Sequence, residues 1–305
     1  IKIFYYDSTS SRSTVNISGG NITATAPQTA AQTYGLRIEK GNVTIDGDTE
    51  ISAQFPVTVD VGSLNIANGT ISGGISLKDC PTEISGGTIN CGTSYNVSIS
   101  DTSAVTATGG TINGPLSLDN CDTIDISDGT FSSSAGSALY LSGVGNTTIS
   151  GGTLSGSVGV EVYSVDNEKN VAISGDAEIT GTTYGLYSAG GNVTIAGEDV
   201  VISGGTKEYG FGGVSIASGG KVTMSAGSVT GAGTSSDRSF GGVYIMNGGE
   251  MTVTGGTIAN ANTNSGTGGI YIESGGLARI TSGEDLDISG YVPVYCAGGY
   301  STGIP

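Results

Sequence analysis

"TISGGTLSG", residues 148–156, is the stretch that decides how this chain folds. Near-copies recur as "EISGGTINCG" from Glu83, "TATGGTINGP" from Thr106, "VISGGTKEYG" from Val201 and "TVTGGTIANA" from Thr252. Glycine accepts positive φ without a Cβ penalty, so a glycine pair suits a sharp corner between two strands. The threonine restarts a strand facing solvent, and the next β-branched residue returns to the core. A phosphate-cradling glycine loop would need a following helix and usually a lysine. No helical pattern follows any copy, and of the copies quoted only the one from Val201 carries a lysine, Lys207, so the motif reads as a corner.

Working outward, short apolar alternations recur at near-constant spacing. One series runs Leu36, Val57, Ile75, Val97, Leu116, Leu139, Val160, Leu186, Val214, Val243, Ile270 and Val292. A second falls at Ile45, Ile66, Ile84, Ile126, Ile149, Ile173, Ile195, Met224, Val253 and Ile280. A third follows the glycine corner at Ile51, Ile71, Ile89, Ile112, Phe131, Leu154, Ile179, Ile202, Val229, Ile258 and Ile288. No useful stretch has a helical period. Three short strands per repeat predict an all-β chain in which each strand pairs in parallel with its copy one rung later. About twelve rungs at ~4.8 Å each make a rod on the order of 60 Å long. The expected division is a cap or lead-in strand over residues 1–14 and one parallel β-helix over 15–305, its last rung truncated.

Asn146, Asn170 and Asn192 stand at matching positions and predict a short asparagine ladder at a second corner. Tyr34, Phe55, Tyr95, Tyr184, Tyr209, Phe240 and Tyr291 open several rungs, where corner packing is their expected role.

Composition narrows function. Among 305 residues, 27 are acidic and 10 basic, a net charge of −17. That argues against nucleic acid, which needs clustered Lys and Arg, and against anionic membranes. No apolar run is long enough to span a membrane. No leading basic-then-apolar segment is seen, so a secretion signal is expected to be missing from this sequence. With no histidine, Cys-His zinc sites and histidine acid–base catalysis are excluded. Cys80, Cys91, Cys121 and Cys296 fit no zinc spacing or disulfide framework, and small buried side chains are expected.

The stretches "GGVYIMNGGEMTVTGGTIAN" and "GGIYIESGGLARITSGEDLDISG" resemble the repeats of right-handed parallel β-helices of pectin-lyase-like fold in bacterial surface and adhesin-like proteins. The resemblance runs from about Val15 to Tyr295 and implies a single right-handed β-helix at an extracellular or cell-surface location. It implies little about activity, because many functions share the fold. Pectin-active enzymes of this fold carry histidine- and tryptophan-containing motifs, and this chain has neither residue.

Other chemistry is sparse. Glu39 and Asp60 would sit ~5 Å apart on neighbouring rungs, the separation of a retaining glycosidase pair. Asp46, Asp48 and Glu50, and likewise Asp122, Asp125 and Asp128, offer oxygen ligands, but neither set matches a full calcium loop. No cofactor is expected beyond incidental Ca²⁺.

The expected binding face is the outward residue of the first strand series: Arg37, Thr58, Ser76, Ser98, Ser117, Tyr140, Glu161, Tyr187, Ser215, Tyr244, Tyr271 and Pro293. Its later half presents four exposed tyrosines as an aromatic platform suited to sugar rings, with Glu273 and Asn247 adding hydrogen bonds. Inserts 231–239 and 260–267 would wall it. The site residues are therefore Tyr140, Glu161, Tyr187, Tyr244, Tyr271 and Glu273. The expected function is non-catalytic, adhesin-like binding of a neutral polysaccharide or host or cell-surface glycan. The alternatives are a polysaccharide-active lyase or glycoside hydrolase with an untypical carboxylate site, and an ice-binding solenoid. The last wants a flat repeated Thr array, and this outward row is irregular. No nucleic-acid partner and no membrane insertion are expected, and the open parallel edges allow end-to-end self-association.

Overall fold

The period-two alternation becomes strand after strand in the computed structural model, which describes residues 2–3, 13–25, 32–163, 169–205, 212–231, 241–260, 269–281, 285–290, 292–297 and 300–302. The described residues are all-β, with no helix. Every strand pairing among them is parallel, and all belong to one continuous sheet. Each strand pairs with its counterpart in the next repeat, not with its sequence neighbour. The strand Ser13–Thr23 already pairs along Gly41–Ser52, starting at Ser13, and the short strand Lys2–Ile3 pairs with Arg37 and Ile38.

Three aliphatic columns result. The first places Leu36, Val57, Ile75, Val97, Leu116, Leu139, Val160, Leu186, Val214, Val243 and Ile270 in register. The second runs from Ile45 to Ile280, with Ala107 filling the step between Ile84 and Ile126 that the spacing leaves blank. The third runs from Ile22 through Phe131 to Ile288. From Leu36 to Ile272 these side chains are buried and form one core. Each buried aliphatic is worth about 1.5–3 kcal/mol, so the columns dominate the drive to fold.

The glycine pair at the corner serves two separate demands. In "EISGGTINCG", Gly87 holds φ at 76°, in the left-handed region. Gly86 does not need that freedom, but a Cβ there would lie 2.2 Å from the Ala67 carbonyl oxygen of the preceding repeat. One glycine bends the chain and the other lets two backbones touch. The corner is itself laddered: the Thr88 amide donates to the Gly69 carbonyl at 2.8 Å, and the Thr111 amide to the Gly87 carbonyl at 2.9 Å.

Three local expectations are corrected. The "SGG" at 203–205 is not this corner. Ile202 belongs to the third column, and Gly204 is the last residue of that strand and pairs with Gly231. The bend ahead of Ile202 is a turn at Glu198 and Asp199. Second, the left-handed corner is not at Asn146, Asn170 and Asn192, which lie inside strands. Asn170 and Asn192 are in register, yet the Asn170 amide oxygen accepts from Thr194 Oγ1 at 3.0 Å and Asn192 Nδ2 donates to the Lys169 carbonyl at 3.4 Å. The left-handed column is Asp79, Asp101, Asn120 and Gly143, with φ of 42°, 52°, 52° and 58°. It stands two residues beyond the first strand's second inward residue, where the chain turns. Asn120 Nδ2 donates to Asp101 Oδ1 at 2.7 Å there. Third, the last register slips by two residues: Ile270 pairs with Val294 and Tyr271 with Tyr295. Val292 and Val294 share parity, so alternation alone allows either alignment. Proline decides it, because Pro56, Pro115 and Pro293 each immediately precede the first inward residue, and the Pro115 and Pro293 carbonyls accept from Val97 and Ile270.

None of the four cysteines is in a disulfide; Cys80, Cys91 and Cys121 are buried and Cys296 is half-buried. Among the described residues, no helix is long and apolar enough to cross a membrane. The aromatics Tyr209, Phe240 and Tyr291, and the two inserts apart from Gly231 and Asn260, lie outside the described residues.

Candidate functional site

The outward column of the first strand is built by register. Ser117 pairs with Tyr140, Tyr140 with Glu161, Glu161 with Tyr187, Tyr187 with Ser215, Ser215 with Tyr244, and Tyr244 with Tyr271. Tyr295, not Pro293, continues it. All six expected site residues therefore lie on or beside one line. Glu273 follows Tyr271 on the same strand, two residues on.

Within that line two clusters form. In the first, Tyr140 stacks on Tyr163, with ring centroids 6.4 Å apart and planes at 26°. Glu161 lies between Tyr140 and Tyr187 in the ladder and accepts a hydrogen bond from Ser137 Oγ. Tyr187 packs against Tyr184 at 5.2 Å. In the second, Tyr244, Tyr271 and Tyr295 follow one another at 5.5 and 5.3 Å between centroids. Tyr244 donates its hydroxyl proton to Glu273 Oε1.

Exposure corrects the picture of a platform of four open rings. Tyr244 is only 5% exposed and Ser215 is fully buried. Tyr140, Glu161, Tyr187, Tyr271 and Glu273 are half-buried, and the most exposed ring is Tyr163. The cause is the ladder itself. Paired residues on neighbouring strands sit about 4.8 Å apart, so each phenol covers its neighbour. The Tyr271–Tyr295 pair is stacked at 20° between planes, so these rings spend their faces on each other.

Burial also fixes protonation. The Tyr244 phenol is held far above the ordinary tyrosine range, first by burial, then by donating to Glu273 and by that carboxylate's charge. Burial, followed by Tyr187 and Glu161, raises Tyr184; burial, followed by Tyr163 and Glu161, raises Tyr187. Burial raises Tyr271, with Tyr295 and Glu273 adding to it. The face thus offers neutral O–H donors beside two carboxylate acceptors, a pattern that matches ligand hydroxyls.

Elsewhere, Tyr34 stacks on Phe55 at 5.6 Å, Phe55 meets Tyr95 edge-on at 5.9 Å, and the Arg37 guanidinium lies over Tyr34 at 5.0 Å. Tyr95 packs against the core, as expected of a corner aromatic. Glu39 and Asp60 follow the paired Ile38 and Val59, and Lys78 follows in the next repeat, where it reaches Asp101 at 3.5 Å. Asp46 and Asp128 accept from the amides of Gly47 and Gly129, each at 2.7 Å. Among the described residues, no three His, Cys, Asp or Glu side chains gather as a metal-binding group.

Tyr163, Ser137 and Tyr295 belong to these clusters but were not among the expected site residues. Tyr163 follows inward Val162 and so had to point outward, a signal the alternation carried. Comparison with protein-family models, curated proteins and solved structures returned no match.

Proposed function

We propose that the chain winds as a single right-handed parallel β-helix of about twelve three-stranded turns, of pectin-lyase-like type, and serves as a non-catalytic extracellular or cell-surface rod of bacterial adhesin-like kind. Its ligand is a neutral polysaccharide or a host or cell-surface glycan, held along the side that carries Tyr140, Glu161, Tyr187, Tyr271 and Glu273, with Tyr244 as a buried support. The observation that carries this reading is the in-register run Tyr140–Glu161–Tyr187, flanked by Tyr163 and Tyr184, which lines up phenol donors and a carboxylate acceptor at the spacing of the strands. A rigid ladder pre-orients these groups, so little ordering cost falls on binding. The test is a glycan array followed by titration of any hit against the Tyr140→Ser/Tyr187→Ser double variant. Loss of binding, with the fold intact by circular dichroism, supports the reading; retained affinity rejects this face.

A further inference from the structure

A second surface, around the corner from the tyrosine column, has a different character. The two outward positions beside the third aliphatic column are uncharged over several repeats. One row is Thr70, Thr88, Thr111, Thr130 and Thr153, all in register and ended on both sides by Glu50 and Glu178. The parallel row runs Asn90, Asn113, Ser132, Ser155 and Thr180. In a chain with net charge −17, this stripe offers no side-chain ion pair to a ligand, and the net charge disfavours anions.

The stripe alone would be a solvated ladder, since Thr suits strands. Two further observations separate it from that. First, it is bordered by open cavities. One, of about 540 Å³, is walled by Ser132 to Ser134, by Ser155 and Ser157, and by Thr180 and Thr182. Another, of about 290 Å³, shares Ser132 and Ser134 and continues to Asn90 and Asn113. Neither is lined by a charged residue. Together they make a trough along the repeat direction. Second, its wall holds Ser133, 7% exposed, whose Oγ has no hydrogen-bond partner, and Thr182 Oγ1 is likewise unpartnered. A buried hydroxyl left unpaired costs about 1–3 kcal/mol, a cost that a ligand hydroxyl would relieve. The neighbouring polar groups are already fixed: Asn113 Nδ2 donates to Asn90 Oδ1 at 2.8 Å, Ser132 Oγ donates to Asn113 Oδ1 at 3.0 Å, and Thr180 and Ser203 hydroxyls meet at 3.1 Å.

We propose that this trough, from Asn90 to Thr182, is a binding site for a linear neutral oligosaccharide lying along the repeats. The ligand class rests on the proposed function, and the trough adds a second contact surface to the tyrosine column. The two surfaces meet where Ser137 donates to Glu161 and where Ser157 and Thr183 hydroxyls approach to 3.4 Å. A trough with amide side chains fits a chain of sugar rings better than it fits an ice lattice, which needs an unbroken flat array.

The test is calorimetric titration of the full chain with cellohexaose, xylohexaose and maltohexaose, with hexagalacturonate as charged control. Ser134→Tyr fills both cavities from an exposed position, and Asn113→Ala removes the centre of the amide ladder by a second route. The expected result is heat from at least one neutral hexasaccharide and none from hexagalacturonate. Either variant should weaken that binding about tenfold or more, the size of a lost buried polar contact. Binding that is lost in Tyr187→Ser but kept in both trough variants refutes the trough and leaves the proposed function standing. Absence of binding by every neutral hexasaccharide overturns the inference, as does thermal hysteresis without sugar binding.

Discussion

At the scale of single residues, the corner glycines separate two costs that are usually confounded. Gly92 holds φ at 66°, with nothing within 4 Å of a would-be Cβ. Gly92→Ala should therefore cost only the left-handed backbone penalty, about 1–2 kcal/mol, and Gly92→Asn less. Gly86 is the converse: its φ is ordinary, but a Cβ would sit 2.2 Å from a backbone oxygen that cannot step aside. Gly86→Ala should destabilise by more than Gly92→Ala, with Asn giving no relief; urea unfolding of the four variants checks the order. The phenols give a second residue-scale expectation. Tyr184, Tyr187, Tyr244 and Tyr271 all have raised pKa values in the folded state. A raised folded value means the contribution is complete below the unfolded value of about 10 and is lost as pH rises through the folded value. The melting midpoint should fall steeply on the alkaline side, with tyrosinate absorbance appearing together with unfolding. Tyr244→Phe, which cannot ionise, should flatten that limb, and an unchanged limb would show that Tyr244 is not held neutral by its site.

At the scale of elements, the strands and their columns carry the fold, and Phe131 is the largest fully buried side chain in them. Phe131→Ala should cost about 3–5 kcal/mol, measured by denaturant midpoint. The exposed Asp101 makes a contrast. Its carboxyl is held below the usual range, chiefly by Asn120 and then by Lys78. A depressed folded value gives stability above the ordinary aspartate range that is lost as pH falls through the folded value. Because solvent screens an exposed group, Asp101→Asn should only slightly flatten the acid limb of the melting curve. The same elements show what the sequence could carry. Inward columns were legible because parity and repetition agree at nearly every step; Ala107 escaped for being small, and Ile17 and Ile22 because they precede the first full repeat of the pattern. Register at the last repeat was not legible from alternation, since Val292, Val294 and Cys296 share parity; the proline before the first inward residue would have resolved it. Ring exposure was not legible at all. Alternation says which side Tyr244 takes, but not that Tyr271 and Glu273 close over it. The cavities beside the third strand series were not legible either, because alternation gives the side a residue takes and not the space left between its neighbours.

At the scale of the whole molecule, stacking identical short strands brings like charges together. Residues in register lie about 4.8 Å apart along the ladder, well inside the ~10 Å screening length at 0.1 M salt. With 27 acidic and 10 basic residues, most acidic side chains have no cation to meet. Among the described residues, the ion pairs Lys78–Asp101 and Arg279–Glu250 are both largely solvent-exposed, where a pair is worth little. Glu39 and Asp60 stand in consecutive repeats as one pair of like charges, and Lys78 follows Asp60 in the next repeat. Self-repulsion of this kind opposes the compact state and is screened by salt, while the aliphatic columns are nearly indifferent to it at these concentrations. The melting midpoint should therefore rise as sodium chloride goes from about 10 mM to about 150 mM, where the screening length shrinks from ~30 Å to ~8 Å. Glu39→Gln should raise the low-salt midpoint and shrink the salt response, because it removes one of the two like charges and leaves Asp60 beside Lys78. A midpoint that stays level or falls with salt would mean that the ladder spaces its carboxylates widely enough for the core alone to set stability.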